Sequence, residues 1–296
     1  MPLRRACRLI SPVLSLLVVG ACAGGTPAAS PEAVPVRAAP AEPAPAPDAS
    51  GLPSGFAEQF AAADLRARAV SFWLQCTATV ARLRAEGTYG PAARAPRAIV
   101  CERTADGVPV GGVYDIDSAY TTVRRLQLVR LDGARPRFTE PLDTARLARA
   151  AKLARDVAVL VRPTWNKRGR PFSVVPVTVA DGALEAWVIP RATKARSIVT
   201  GGDAGYTRDA AGALQLLADR TATWTQLNLS PTGPLRLYSS VRDVAAVSDL
   251  VSARFHAELG RAVTVSTPLV VSTLVPGLDP ATGSRFVWQH SRVPVR

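Results

Sequence analysis

Few residues in this chain could do chemistry. Its 296 residues include 2 His, 4 Cys and 1 Met. The densest candidate is Gly201-Gly202-Asp203-Ala204-Gly205-Tyr206. Three glycines around one Asp favour turns with positive φ and let a backbone come close to a ligand, with Asp203 and Tyr206 as polar contacts. The alternative is a structural turn. The spacing lacks GxGxxG, so no phosphate cradle is expected. A second candidate is Tyr238-Ser239-Ser240, which precedes Arg242, Asp243, Ser248 and Asp249. His290 ends the last apolar run beside Trp288, and His256 follows Phe255. A serine hydrolase needs Ser, His and an acid converging, and no GxSxG is present. No CxxC spacing suggests zinc. The expected ligand site is therefore Asp203, Tyr206, Ser239, Asp243 and His290. No catalytic residue, metal or cofactor is assigned.

Strand, polar triplet, Ser248-Asp249 and helix follow one another here in an order that resembles the layout of JAB/MPN-type metalloproteases. The resemblance covers about forty residues. That family's zinc site needs a His-x-His at the strand end, followed by a Ser and an Asp. Tyr238 and Ser240 stand where the histidines belong. The resemblance thus implies a metal-free relative; the alternative, from the residues themselves, is that Ser240 and Ser248 are helix caps.

The sharpest signal lies at the N-terminus. Arg4, Arg5 and Arg8 form a positive n-region, and residues 9–19 are mostly apolar. That run is too short to span a bilayer as a helix. It ends in Val19-Gly20-Ala21-Cys22, which resembles the lipobox of bacterial lipoproteins. Small residues let the extended chain enter a peptidase cleft, and the Cys22 thiol accepts the lipid. The resemblance implies that residues 1–21 are removed, that Cys7 is discarded with them, and that Cys22 becomes an acylated N-terminus. Several acyl chains anchor stably where one is marginal. The alternatives are a signal peptide cleaved elsewhere or an uncleaved anchor. Ala23 follows the cysteine. In Gram-negative lipoproteins an Asp there favours inner-membrane retention, so outer-membrane attachment facing the periplasm is expected.

Residues 23–53 are rich in Ala, Pro and Gly, with eight prolines recurring every few positions. Such a segment cannot nucleate a helix or offset its ordering entropy by apolar burial. Residues 22–53 read as a lipidated Cys and a tether reaching roughly 30 Å if coiled and about 95 Å if extended.

The formal charge is +13, from 36 Lys+Arg against 23 Asp+Glu. Only Lys152, Lys167 and Lys194 are lysines; every other cation is Arg, spread over the chain. A nucleic-acid partner would need a basic stripe, so none is expected. Arg4, Arg5 and Arg8 leave with the signal peptide, and the tether's Arg37 is outweighed by Glu32, Glu42 and Asp48. The body then carries about +12. Anionic lipid headgroups, cell-wall carboxylates and envelope proteins are the plausible neighbours, against a plain solvated surface.

With 48% hydrophobic residues the chain can bury a core. Residues 54–296 read as one domain. Phe56, Phe60, Ala63, Ala67 and Val70 step by four and three, and the apolar stripe runs on to Leu83, which predicts a helix over 54–86 ended by Gly87. Cys76 lies in that helix and Cys101 in the next apolar run. In an exported protein they are expected to form a disulfide, closing a loop of about 25 residues and contributing about 3 kcal/mol. Free buried thiols or a redox pair are the alternatives.

A second helix opens at Asp143 as cap, with Leu142 and Leu147 as a staple, and is expected to stop near Leu160 before Pro163. Arg146, Arg149, Lys152 and Arg155 line its polar face at intervals of three. That face could meet an anionic surface or simply be solvated. From Pro171 onward short strands and hairpin signals dominate, interrupted by one helix ending before Gly260. The expected class is α+β: an antiparallel or mixed β-sheet with about three helices, mainly in the N-terminal half.

Three function classes remain. The first is a non-enzymatic binding or assembly module of the cell envelope. The second is a periplasmic hydrolase acting on cell-wall or peptide substrate. The third is a structural accessory of a larger envelope complex. The missing catalytic constellation favours the first.

Overall fold

The computed structural model describes residues 51–87, 98–103, 108–116, 119–120, 123–131, 137–138, 143–179, 182–194, 196–230, 233–239, 244–279 and 284–294. The signal peptide, Cys22, the tether, Leu142, Ser240 and Asp243 lie outside these. The described residues belong to one compact unit. No helix among them is long and apolar enough to cross a membrane.

Helix α1 spans Phe56–Ala85 and is the spine of the fold. Its apolar spacing buries Phe56, Phe60, Ala67 and Val70 in the largest core cluster, and Val80 and Leu83 in a second one. Gly87, at φ 78°, follows its end as expected.

The C-terminal half of α1 carries an antiparallel meander of β1 (Ala98–Arg103), β2 (Pro109–Ile116), β3 (Val123–Arg130) and β4 (Arg137–Phe138). The expected disulfide joins Cys76 of α1 to Cys101 of β1. Gly111 of β2 lies under the helix. A Cβ there would stand 2.5 Å from a Val80 methyl, so only glycine permits the approach.

Helix α2 spans Thr144–Lys167. Asp143 caps it, its side chain accepting the Arg146 N–H at 3.0 Å. The expected stop before Pro163 is wrong: Pro163 lies inside the helix, which continues to Lys167. A proline removes one hydrogen bond to the carbonyl four residues back. Here that residue, Val159, is 59% exposed, so water can serve its carbonyl. Val161 and Trp165 meanwhile add to the core cluster beneath α2, which extends the burial past the proline.

Strands β5 (Phe172–Thr178) and β6 (Leu184–Pro190) form a hairpin. With β8 (Ala204–Arg208) and β9 (Leu214–Asp219) they make an antiparallel sheet of order β5-β6-β8-β9. Alternation sends Ala186, Val188, Ala204 and Tyr206 toward α2. Val175, Val177, Trp187 and Ile189 join the α1 core on the other face. A separate ribbon pairs β7 (Ser197–Thr200) with β10 (Thr225–Asn228).

The C-terminal part runs β11 (Leu235–Tyr238), α3 (Val247–Glu258), β12 (Val263–Ser266), β13 (Val270–Asp279) and β14 (Ser284–Arg292). Helix α3 is the crossover that makes β11 and β12 parallel; the remaining pairs of this sheet are antiparallel. The fold is α+β, with antiparallel and mixed sheets and, among the described residues, three α-helices. The β13–β14 ladder continues through Pro276 to Asp279 past a register shift.

Two ion pairs with buried carboxylates fasten α1 to other elements. Asp64 receives Arg254 of α3 in a two-pronged contact at 2.8 and 2.6 Å, together with the Trp288 indole N–H at 2.9 Å. Two residues on, Arg66 grips Glu185 of β6 at 2.8 and 2.7 Å. Glu185 also accepts the Trp187 indole N–H at 2.7 Å. Each carboxylate is thus matched by a guanidinium and an indole, the condition for burying charge at tolerable cost.

Candidate functional site

The first turn of α3 needs hydrogen-bond acceptors, because the opening amides of a helix have no partner within it. The residue before it is Ala246, which has no capping side chain. The acceptors come from two distant segments. Ser239, at the end of β11, accepts the Ala246 N–H at 3.3 Å. Asp203 accepts the Val247 N–H at 3.1 Å through Oδ2. Ser248 donates its hydroxyl to the Gly201 carbonyl at 3.1 Å and reaches Asp203 Oδ1 at 3.2 Å. Asp249 in turn accepts the Gly201 N–H at 2.7 Å.

The Gly201–Gly202 turn is therefore locked to α3 from both sides. Both glycines have positive φ, 62° and 80°. A Cβ on Gly201 would stand 2.6 Å from the Thr223 carbonyl oxygen, and one on Gly202 would stand 2.8 Å from the Trp224 ring. The close approach that the glycine spacing predicts is made to the protein's own Thr223 and Trp224. Beyond the turn, Asp203 and Arg220 are joined through the backbone at 2.9 Å, and the Arg220 guanidinium lies 3.5 Å from Asp203 Oδ2.

Asp203 and Asp249 are both fully buried. Burial pushes both carboxyls up, since loss of solvent penalises the charged form. Asp249 is raised to about 6, chiefly by desolvation; the Ser239 hydroxyl and the Gly201 amide hold it down, and the nearby Asp203 adds to the rise. For Asp203 the Arg220 charge and the bonds from Ser248 and Val247 oppose the desolvation. A carboxyl titrating near neutrality is what acid–base chemistry uses. Here both Asp203 oxygens and Asp249 Oδ1 are engaged by the protein's own amides and the Ser248 hydroxyl, which ties the pair to the fold, while Asp249 Oδ2 is buried without a hydrogen-bond partner among the described residues.

Of the five expected ligand residues, Asp203 and Ser239 come together at the α3 N-terminus. Asp243 lies outside the described residues. Tyr206 is half-buried and packs in the cluster under α2. Its phenol is pushed up by burial and by the Asp219 charge. His290 sits against α1, its ring edge-on to Phe56 and Phe60 at 5.0 and 4.4 Å. Its Nδ1 lies 2.9 Å from the Ser272 hydroxyl. Burial lowers its affinity for a proton, while the Asp64 charge works against this. His256 of α3 is also shifted down by burial, with Arg261 adding to the effect.

The site residues absent from that expected set are Ser248, Asp249, Thr223 and Arg220. Asp249 was visible in the Ser-Asp pair opening a helix after Ala245-Ala246, where no local cap is present. Nothing in the spacing singled out Thr223 or Arg220. Strand β11 is followed in the chain by Ser239 and, after an undescribed stretch, by α3. Tyr238 points outward, 60% exposed, while Ser239 is buried. Among the described residues no cluster of three or more His, Cys, Asp or Glu side chains could hold a metal ion. No protein-family model, no curated protein and no solved structure matches this chain.

Proposed function

We propose that this chain is a lipid-anchored lipoprotein of the bacterial envelope, attached to the outer membrane through Cys22, with the body as a non-enzymatic binding or assembly module in the periplasm. The observation that carries the anchor is Val19-Gly20-Ala21-Cys22 at the end of a short apolar run behind Arg4, Arg5 and Arg8. The Cys76–Cys101 bond is consistent with export, because disulfides persist in oxidising compartments. The inward turn of Asp203, Asp249, Ser239 and Ser248, spent on holding α3 and the glycine turn, favours a scaffold over a hydrolase.

Metabolic labelling with radioactive palmitate tests the anchor. The wild-type chain incorporates label into the membrane fraction, and Cys22→Ala abolishes both the label and the processing. A Cys22→Ala chain still processed and membrane-bound sinks the proposal.

A further inference from the structure

The continuation of α2 through Pro163 has a consequence for its outer face. The helix buries Leu153, Val157, Val161 and Trp165 against the β5-β6-β8-β9 sheet. The opposite face is basic: in Thr144–Lys167 six cations stand against one acid, Asp156, and the C-cap is Arg168. Three of these cations are engaged locally. Arg146 pairs with Glu102, Lys152 pairs with Asp156, and Arg155 lies over the Tyr120 ring. Arg208 of β8 also reaches Asp156, which leaves that acid doubly neutralised. Arg149, Arg162, Lys167 and Arg168 are exposed. In the middle of this cationic face two large apolar side chains are open to solvent, Val159 at 59% and Leu160 at 53%. Arg155 precedes them by about one turn, and Arg162 and Lys167 follow within the next two.

Exposed apolar residues ringed by cations on one helix face are the pattern of an interfacial helix. We propose that the outer face of α2 docks on an anionic phospholipid surface, with Arg149, Arg162 and Lys167 on the headgroups and Val159 and Leu160 entering the acyl boundary. Charge complementarity selects this occupant. The proposal rests on the anchored reading, which keeps the body within tether reach of a bilayer. Acylation then supplies one membrane contact and α2 a second, so the body lies on the surface instead of swinging from it.

The test uses the mature chain from residue 22 with Cys22→Ser, so that no acyl chain contributes. Its co-sedimentation is measured with vesicles of pure phosphatidylcholine and with vesicles of equal parts phosphatidylcholine and phosphatidylglycerol. Binding to the anionic vesicles is expected to exceed binding to the neutral ones by about tenfold or more, since each basic residue near such a surface adds roughly fivefold before competing costs. Reversing Arg149, Arg162 and Lys167 to Glu removes this excess, and Val159→Ser with Leu160→Ser weakens it by at least about threefold. Reversing Arg236, Arg285 and Arg292, three exposed cations of the β11-to-β14 sheet, changes it less than about threefold. All of these positions are exposed, and matching thermal melts confirm that the variants fold.

Three results overturn the proposal: equal loss from both charge reversals, equal binding to the two vesicle types, or, in a parallel co-sedimentation with cell-wall sacculi, an α2 charge reversal that abolishes sacculus binding and leaves vesicle binding unchanged. The anchored reading is scored separately, by the mass of the mature N-terminus of the wild-type chain.

Discussion

Asp203 caps a helix that begins forty-four positions later: its Oδ2 accepts the Val247 N–H at 3.1 Å, and its Oδ1 meets the Ser248 hydroxyl at 3.2 Å. A fully buried carboxylate thus does the work that the residue before the helix, Ala246, cannot. Replacing Asp203 with Ala removes the cap and leaves buried donors without acceptors, at a cost of about 2–4 kcal/mol. Asp203→Asn keeps one acceptor oxygen and loses less. Urea unfolding of the two variants checks the order; equal losses would place the contribution in the charge instead of the cap.

Asp249 makes stability depend on pH. Its folded carboxyl is raised from the ordinary 3.8 to about 6. The folded chain therefore holds this proton more tightly than the unfolded chain does. The stabilisation is fully present below about pH 4 and is lost as pH rises through about 6, with a span of about 3 kcal/mol. Asp203, raised by burial as well, acts in the same direction. His256 and His290 act oppositely, because both are shifted down and lose stability as pH falls through the ordinary 6.5. The clean comparison is therefore with Asp249→Asn, which keeps both histidines. The stability of wild type relative to this variant should rise as pH falls from about 7.5 to about 4.5. A difference that stays constant over that range would show that Asp249 does not titrate there.

The Cys76–Cys101 bond closes a separation of 25 residues between α1 and β1. The sheet it holds shares with α1 a small core of Cys76, Val80, Leu83, Cys101, Val113 and Val129. Cys76→Ser with Cys101→Ser is expected to cost about 3 kcal/mol. The loss should appear first as faster amide exchange in β1 and β2, where the staple acts, before β6 and β8 are affected. Labelling of the unfolded, unreduced wild-type protein should find neither of these thiols.

Much of this fold was legible where local pattern and tertiary packing agree. The four- and three-residue steps from Phe56 to Leu83 gave α1. The Asp143 cap, the glycine stop at Gly260 and the hairpin signals between Phe172 and Leu217 marked their elements because each is a local interaction. Pro163 misled for a physical reason: the proline rule counts the lost hydrogen bond but not the burial of Val161 and Trp165 that outweighs it. The candidate site was legible only in part. Asp203 and Ser239 stood out by composition, but their target amides at Ala246 and Val247 lie in another segment. No periodicity reports a hydrogen bond between residues so far apart. The same holds for Asp64 and Arg254, separated by 190 positions. Residue type alone groups Tyr206 and His290 with Asp203, and strand alternation sends each to a different core.

The central claim is the lipid anchor at Cys22, and the mass of the mature N-terminus tests it most directly. The protein purified from the membrane fraction should begin at Cys22 and exceed the mass of the unmodified polypeptide by its acyl groups, with residues 1–21 absent. A mature chain that begins at any other residue, or at Cys22 without added mass, contradicts the account.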